Sequence, residues 1–335
     1  MKGFKKNGII LLLITFVVLI FVVKDDFYAI VDILKNVNPL WVVVCFLMMA
    51  LSLFFRSLGL REVITGYRFS YSIRKAFKLG LMTTFFNGIT PFSTGGQPMQ
   101  VLLLKEDGVR MTKGTNIIMM NFIFYQAALV LLGLIALGSN LYLNLFPKNP
   151  ILSNLILIGF LLNTAVMIGL LIICYARKFT AFILRHTVSF FSFCHFIKNK
   201  EKVMKNWEEK LSDFHEGTIF ISKNKKNAVL GFFYQFIGLI LLYIIPLFTF
   251  YAMHDFSSMN ILDALISSAY TMIIGAFVPI PGGSGGIEFG YSQFVGNFAP
   301  ALFVSASLLI WRLATYYLPM IIGGVLFGIR KGELS

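Results

Sequence analysis

The amino-acid sequence predicts an all-α polytopic membrane protein with six full spans and two re-entrant helical hairpins, arranged as an inverted repeat with both termini cytoplasmic. Three observations predict this class: the composition, the spacing of the apolar runs, and the positions of lysine and arginine. The 335 residues are 57% hydrophobic and 13% charged, with a mean hydropathy of +0.80. A soluble globule needs more polar side chains than this to cover its surface, so we expect a multi-pass membrane protein.

Six apolar runs are long enough to cross the roughly 30 Å hydrocarbon core of a bilayer. The first run follows three lysines and precedes no small-x-small cleavage site, which predicts a retained signal anchor. Two further apolar stretches, near 76–104 and 261–298, are interrupted by TPFSTGG (Thr90–Gly96) and PIPGGSGG (Pro279–Gly286). Each stretch could form a straight span or a hairpin. The six runs lie near residues 8–23, 39–60, 115–138, 151–176, 228–253 and 301–328.

Lysine and arginine decide between these alternatives, because they accumulate in cytoplasmic loops. If both interrupted stretches are hairpins, 25 of the 29 cations lie on the cytoplasmic side. If the first stretch spans the membrane instead, the cluster Lys105–Lys113 becomes external and every later loop moves to the opposite side of the membrane. We therefore predict that the first hairpin enters from the cytoplasm and the second from the outer face. The 25 cations lie in Lys2–Lys6, Arg56–Lys78, Lys105–Lys113, Arg177–Lys226 and Arg330–Lys331.

A shift of 190 residues superimposes the two interrupted stretches and the spans that flank them. We interpret the chain as a single transmembrane domain, 1–335, with a first inverted repeat at 39–138 and a second at 228–328. Secondary transporters with this architecture hold their substrate where the broken elements meet near mid-bilayer. The shift pairs Gly95-Gly96 with Gly285-Gly286, Pro91 with Pro281, 39–60 with 229–250 and 115–138 with 305–328.

The interrupted segments form the predicted binding site. Irregular backbone is tolerated at membrane depth only where it is buried in protein or lines a wet cavity. Glycine lets the backbone approach a ligand closely, and the second arm of a broken helix begins with free N–H groups that attract an anion. The alternative is a packing kink whose glycines only admit neighbouring helices.

Glu288 and Arg312 are ionisable groups within apolar segments, so each should face a partner, a cavity or a substrate. In one alternative they form a structural ion pair. In the other, Arg312 and loop amides hold a lipid phosphate, while Glu288 receives a cationic headgroup or a proton. The predicted substrate-binding residues are Pro91, Gly95, Gly96, Gln97, Gln100, Pro281, Gly282, Gly283, Gly285, Gly286, Glu288, Arg312 and Tyr316.

Other functions find little support in the residues. Cys45, Cys174 and Cys194 are widely spaced and the histidines lack ligand spacing, so we expect neither a disulfide framework nor a metal site. We find no nucleophile elbow, HExxH or Walker motif and predict no catalytic residue and no cofactor. The basic loop 177–227 interleaves phenylalanine with eleven cations, which is typical of an amphipathic helix on an anionic membrane surface and not of a nucleic-acid-binding segment.

Two motifs carry a family resemblance: TPFSTGGQPMQVLLLKEDGV in the first half, and PIPGGSGGIEFG with WRLATYYLPMIIGG in the second. With them the chain resembles, over roughly residues 8–330, the lysylphosphatidylglycerol synthase transmembrane family, which includes the flippase domain of the multiple peptide resistance factor. The resemblance implies a bacterial cell-membrane protein that moves an anionic or aminoacylated phospholipid between leaflets and so gives resistance to cationic peptides. The sequence reaches Ser335 with no synthase domain, so we expect a stand-alone form.

Three functions follow from these observations. The first is a lipid flippase without covalent chemistry of its own, acting on a lysylphosphatidylglycerol-like, other anionic or isoprenoid-phosphate lipid. The second is the membrane component of a phosphatidylglycerol lysyltransferase that needs a separate synthase subunit. The third is a small-anion or proton-coupled transporter. An oligomer is compatible with each.

Overall fold

The computed structural model describes residues 27–143, 150–193, 223–276 and 278–334, together with residues 201, 203–205, 207–208, 212, 215 and 219. The predicted span at 8–23, with its signal anchor, and Cys194 lie outside the described residues. The described part of the chain is helical and contains no strand, which confirms the all-α class.

Thirteen α-helices are described, and short turns of tighter or wider helix join some of them. Turns of 3₁₀-helix lie at Pro91–Ser93, Pro281–Gly283 and Val295–Asn297, and a π-helical turn lies at Leu313–Tyr317. The α-helices are α1 (Phe27–Lys35), α2 (Pro39–Gly66), α3 (Ile73–Gly88), α4 (Gly96–Glu106), α5 (Met111–Leu143), α6 (Pro150–Tyr175), α7 (Arg177–Phe193), α8 (Lys225–Tyr243), α9 (Ile245–Ala252), α10 (Ile261–Gly275), α11 (Gly286–Phe294), α12 (Ala301–Arg312) and α13 (Leu318–Leu334).

Five helical segments are long and apolar enough to cross a membrane, and they match the five predicted spans within the described ranges. Two of these segments are interrupted. The fourth segment breaks between α8 and α9, just before Pro246, because proline has no backbone N–H to donate to the preceding turn. The fifth joins α12 to α13 through the π-helical turn. The segments are Pro39–Gly66, Met111–Tyr142, Pro150–Tyr175, Lys225–Ala252 and Ala301–Gly332.

Side-chain caps fix where several helices begin. Asn38 accepts a hydrogen bond from the N–H of Leu40, with a proline as the first residue of α2. The Ser72 hydroxyl caps α3 by accepting a hydrogen bond from the N–H of Lys75. Asn260 and Asp263 form a reciprocal capping box at the start of α10. The polar residues between apolar runs therefore set the helix boundaries.

The helix α2 runs antiparallel to α8 and α9 and contacts them along its whole length. The N–H of Asn38 donates to the carbonyl of Ala252 at one end (2.7 Å), and the side-chain amide of Asn224 donates to the carbonyl of Gly66 at the other (2.8 Å). A Cβ on Gly59 would lie 3.0 Å from a backbone oxygen of α8, so a small residue permits this close approach. The opening helices of the two proposed repeats thus point in opposite directions, and the inverted repeat itself stays a prediction.

The first interrupted segment is a hairpin of α3 and α4 that closes at both ends. At its tip, the N–H of Gly96 donates to the Asn87 side chain (2.9 Å). At its base, the Tyr71 hydroxyl donates to the Asp107 carboxylate (2.6 Å). Burial, and then this hydrogen bond, raises the pKa of the Tyr71 phenol, so the phenol keeps its proton and remains the donor. The chain leaves the hairpin at the end where it entered.

The second interrupted segment is a hairpin of α10 and α11. A Cβ on Gly290 would lie 3.0 Å from the Cα of Thr271, and the rings of Tyr270 and Phe294 lie 5.2 Å apart. These contacts pair later residues of α11 with earlier residues of α10, so the two arms are antiparallel. The 3₁₀ turns at the two tips pack against each other. The placement of both hairpins within a membrane stays a prediction.

Each hairpin also contacts the closing helix of the other half: α13 packs against α3, and α5 packs against α10. The contact of α13 with α3 is closest at Gly323, where a Cβ would overlap the carbonyl oxygen of Leu81. Of the basic loop 177–227, the structure describes α7 and single later positions, and its contact with a membrane surface stays a prediction.

We expect Gly323→Ala to destabilise the protein, because the added methyl group meets backbone that cannot move aside. Such overpacking costs about 1–3 kcal/mol, more than the helix propensity of about 1 kcal/mol that alanine adds. The measurement is the midpoint of thermal unfolding in detergent. Gly328→Ala, on the same helix with no neighbouring atom within 4 Å, is the matched control and should not lower the midpoint. Equal midpoints for both variants would contradict the proposed helix contact.

Candidate functional site

The tip of the second hairpin depends on glycine. Gly282, Gly283 and Gly285 have φ values of +67°, +62° and +89°, which side chains with a Cβ rarely adopt. A Cβ on Gly282 would also overlap the ring of Tyr316. This backbone turns the carbonyl of Gly282 toward Arg312, so the PGGSGG sequence creates an acceptor for that arginine.

Glu288 and Arg312 form a buried ion pair at this tip. The Arg312 Nε donates to Glu288 Oε1 (2.7 Å), and Nη2 lies 2.6 Å from the same oxygen. Arg312 Nη1 donates to the carbonyl of Gly282 (3.2 Å), while Glu288 Oε2 accepts from the N–H of Gly285 (2.6 Å). Arg312 is 2% exposed and Glu288 is 3% exposed. Of the two alternatives for these residues, the geometry corresponds to the structural ion pair.

Tyr316 joins the ion pair to the first hairpin. Its ring lies 5.3 Å from the guanidinium carbon of Arg312, and its hydroxyl donates to the carbonyl of Gly88, the last residue of α3 (3.0 Å). Tyr316 belongs to the π-helical turn. This single side chain therefore contacts the tips of both hairpins.

Three backbone amides that we expected to face a ligand already have acceptors. The N–H of Gly95 donates to the Thr90 hydroxyl (2.8 Å), that of Gly96 to Asn87, and that of Gly285 to Glu288. Side chains of the same hairpin therefore cap the second arm in both cases. An anion at the tips would have to compete with these side chains.

A cavity of about 980 Å³ lies beside the tips, among the first hairpin, α2, α5, α6, α8 and α10. Its volume is at the upper end of the roughly 300–1,000 Å³ that small-molecule sites occupy. Among the described residues that line it, Arg56 is the one charged residue, and no carboxylate is present. The remaining lining is mostly apolar with a set of side-chain amides, which belong to Asn87, Gln97, Gln100, Asn121, Gln126, Asn163 and Gln235.

Arg56 lies on α2 and is half-buried. Its guanidinium carbon is 5.0 Å from the centre of the Tyr125 ring, and its aliphatic stem packs against Gly238. Within the described ranges, the guanidinium makes no hydrogen bond and has no carboxylate within ion-pair distance. An arginine in this position can offer charge-assisted hydrogen bonds to an anion in the cavity.

Sequence reasoning missed Arg56 because it grouped this residue with the cytoplasmic cations of Arg56–Lys78. The signal was present, since Arg56 also lies inside the apolar run 39–60, and a charge within a span is a functional candidate. Its orientation toward a cavity depends on the packing of α2 against α5 and α8.

Amide side chains extend across the cavity beside Arg56. The Gln235 amide of α8 donates to Asn121 of α5 (2.7 Å), and the Gln126 amide of α5 donates to Asn163 of α6 (2.8 Å). The Gln235 Oε1 atom is buried with no partner among the described residues. Gln100 is 8% exposed and likewise has no hydrogen-bond partner in that part of the chain. The carboxamide of Gln100, which lines the cavity, can therefore bond a ligand.

The predicted site residues divide into two groups. Gln97, Gln100, Gly282 and Gly283 line the cavity. The others belong to the hairpin tips and the ion pair beside it, and their part in substrate binding stays a prediction. They are Pro91, Gly95, Gly96, Pro281, Gly285, Gly286, Glu288, Arg312 and Tyr316.

The family model described as the lysylphosphatidylglycerol synthase TM region matches residues 8–323. The chain belongs to this family. A relative, a UPF0104 membrane protein of Archaeoglobus fulgidus, is 24% identical over 317 residues, which cover 88% of each chain. The family membership that the two motifs predicted is confirmed, and it indicates a membrane protein with a lipid-related role.

Within this family member, the ion pair should behave as a coupled unit. Arg312→Met leaves Glu288 buried without its partner, which costs about 3–5 kcal/mol of stability. We expect the double variant Arg312→Met with Glu288→Gln to regain much of this loss, because no charge then remains unpaired. Thermal unfolding of the two single variants and the double variant measures the coupling. Strictly additive losses would show that the two side chains do not depend on each other.

Proposed function

We propose that this protein carries the headgroup of an anionic phospholipid across the membrane, as a flippase without covalent chemistry of its own. The observation that carries the proposal is the unpaired guanidinium of Arg56 in a large cavity. An ionisable group within a membrane span is costly, so such a group usually faces a partner, a cavity or a substrate. A phosphate is a fitting partner, because arginine offers it two parallel charge-assisted hydrogen bonds.

Exposed apolar side chains at the cavity edge support a lipid as the substrate. Phe92, Leu102 and Met111 line the cavity and are 58%, 42% and 51% exposed. They mark an opening beside α4 and the start of α5. In a bilayer, acyl chains would remain among such side chains outside the protein, while the headgroup enters and reaches Arg56.

The hairpin contacts support a mechanism of alternating access. Each closing helix, α5 or α13, packs against the hairpin of the other half, and the two tips meet beside the ion pair. Motion of one repeat against the other about these tips would open the cavity first to one leaflet and then to the other. In this mechanism Glu288, Arg312 and Tyr316 maintain the pivot, and Arg56 holds the phosphate.

The description of the matching family favours a second candidate, the membrane component of a lipid-aminoacylating system that works with a separate synthase. The two candidates differ in a direct assay. The purified chain, added to a separate synthase supplied with lysyl-tRNA and phosphatidylglycerol, should leave the rate of aminoacylated-lipid formation unchanged if it is a flippase alone. A higher rate in the presence of this chain would favour the membrane component of an aminoacylating system.

We expect Arg56→Gln to slow the leaflet exchange of fluorescent phosphatidylglycerol in proteoliposomes about 10- to 100-fold. This corresponds to the roughly 1.5–3 kcal/mol of a hydrogen bond to a charged group. Exchange is measured by chemical quenching of the outer-leaflet fluorophore. Arg56→Lys keeps the charge but loses the two parallel hydrogen bonds of arginine. It should exchange lipid at a rate between those of the wild type and Arg56→Gln.

The matched control is Arg74→Gln, which removes an exposed arginine at the start of α3, outside the cavity. It should exchange lipid at the wild-type rate. Exchange by Arg56→Gln as fast as by Arg74→Gln would contradict the assignment of Arg56 as the phosphate-binding residue.

A further inference from the structure

We infer that the cavity selects lipids whose headgroup combines a phosphate with uncharged hydroxyl groups, and that it discriminates against headgroups bearing an ammonium group. This inference rests on the proposed function and narrows its substrate class. The inferred lipid differs from the aminoacylated lipid that appears in the name of the family. The charge of this cavity instead suits phosphatidylglycerol, the lipid before aminoacylation.

The first step is the distribution of charge. Arg56 is the one charged side chain among the described lining residues, so the cavity is cationic before a ligand enters. An ammonium group that leaves water needs a carboxylate or several acceptors to offset its lost hydration. It would also repel Arg56. Two like charges about 8 Å apart repel by about 2 kcal/mol at an effective dielectric constant of about 20.

The second step concerns Glu288, the one carboxylate at the adjoining hairpin tip among the described residues. It does not line the cavity, and it is 3% exposed. Both of its oxygens are occupied, one by Arg312 and the other by the N–H of Gly285. To receive an ammonium group it would have to leave Arg312 buried and unpaired, at a cost of about 3–5 kcal/mol. This carboxylate is therefore part of the fold and not of the headgroup site.

The third step concerns an amide at the cavity that has unused hydrogen-bonding groups. Gln100 lines the cavity and is 8% exposed, and its carboxamide has no hydrogen-bond partner in the described part of the chain. A hydroxyl group both donates and accepts, so it can satisfy both groups of the Gln100 carboxamide. A glycerol or other polyol headgroup supplies such hydroxyls beside its phosphate. A phosphate bound to Arg56 and a hydroxyl bound to Gln100 together describe the favoured headgroup.

The experiment is a competition in proteoliposomes of phosphatidylcholine, with fluorescent phosphatidylglycerol as the tracer and a salt concentration that screens the surface potential. Unlabelled phosphatidylglycerol should slow tracer exchange by competition. Lysylphosphatidylglycerol at the same mole fraction should compete at least tenfold less effectively. This factor corresponds to a binding free energy that is weaker by about 1.4 kcal/mol or more.

A charge-changing variant makes the test independent of the wild-type preference. Gln100→Glu adds a carboxylate of the same size to the cavity and should reverse the preference, so that lysylphosphatidylglycerol becomes the better competitor. Gln100→Leu also removes the amide but adds no charge, so lysylphosphatidylglycerol should remain the weaker competitor in this variant.

The outcomes separate the inference from the function on which it rests. Equal competition by the two lipids in the wild type, or no change in preference in Gln100→Glu, overturns the inference and leaves the proposed flippase intact. Absence of tracer exchange in the wild type rejects the proposed function and the inference with it.

Discussion

A peptide group without a hydrogen-bond partner costs several kcal/mol in hydrocarbon, so a chain that breaks two helices within apolar segments must satisfy the broken ends internally. The two hairpins do so with side chains and with each other. Thr90 and Asn87 cap the second arm of the first hairpin. Glu288 caps that of the second, and Tyr316 donates to the last carbonyl of α3. The cavity, the closing helices and the proposed motion all depend on these joined tips.

This constraint separates two arginines with different roles. Arg312 is neutralised by Glu288 and oriented by the carbonyl of Gly282, so its charge stabilises the tip. Arg56 has an aromatic ring beside it and no carboxylate partner among the described residues, and in the proposed function its charge binds the phosphate of a lipid. The two arginines therefore differ in their partners, and Arg312 is the one held in a buried ion pair. Partners, and not residue identity, decide the role.

The sequence was sufficient to predict what depends on local pattern. Apolar runs located the five described spans, and the Pro/Gly clusters located both helix breaks, where α3 ends at Gly88 and α10 ends at Gly275. It also offered the pairing of Glu288 with Arg312 as one of two alternatives. Arg56 and the capped amides could not be predicted, because they depend on which helix face meets a neighbour and which side chain bends back. Those properties appear only when the helices are packed.

The most direct test of this account asks on which side of the membrane the first hairpin begins and ends. Single cysteines are introduced at the exposed positions Ser72 and Arg110 in a variant that lacks Cys45, Cys174 and Cys194. Each is labelled with an impermeant thiol reagent in sealed vesicles of known orientation. The account predicts that both cysteines react from the same, cytoplasmic face. Reaction from opposite faces would show that the segment spans the membrane, and the joined tips and their cavity would then be contradicted.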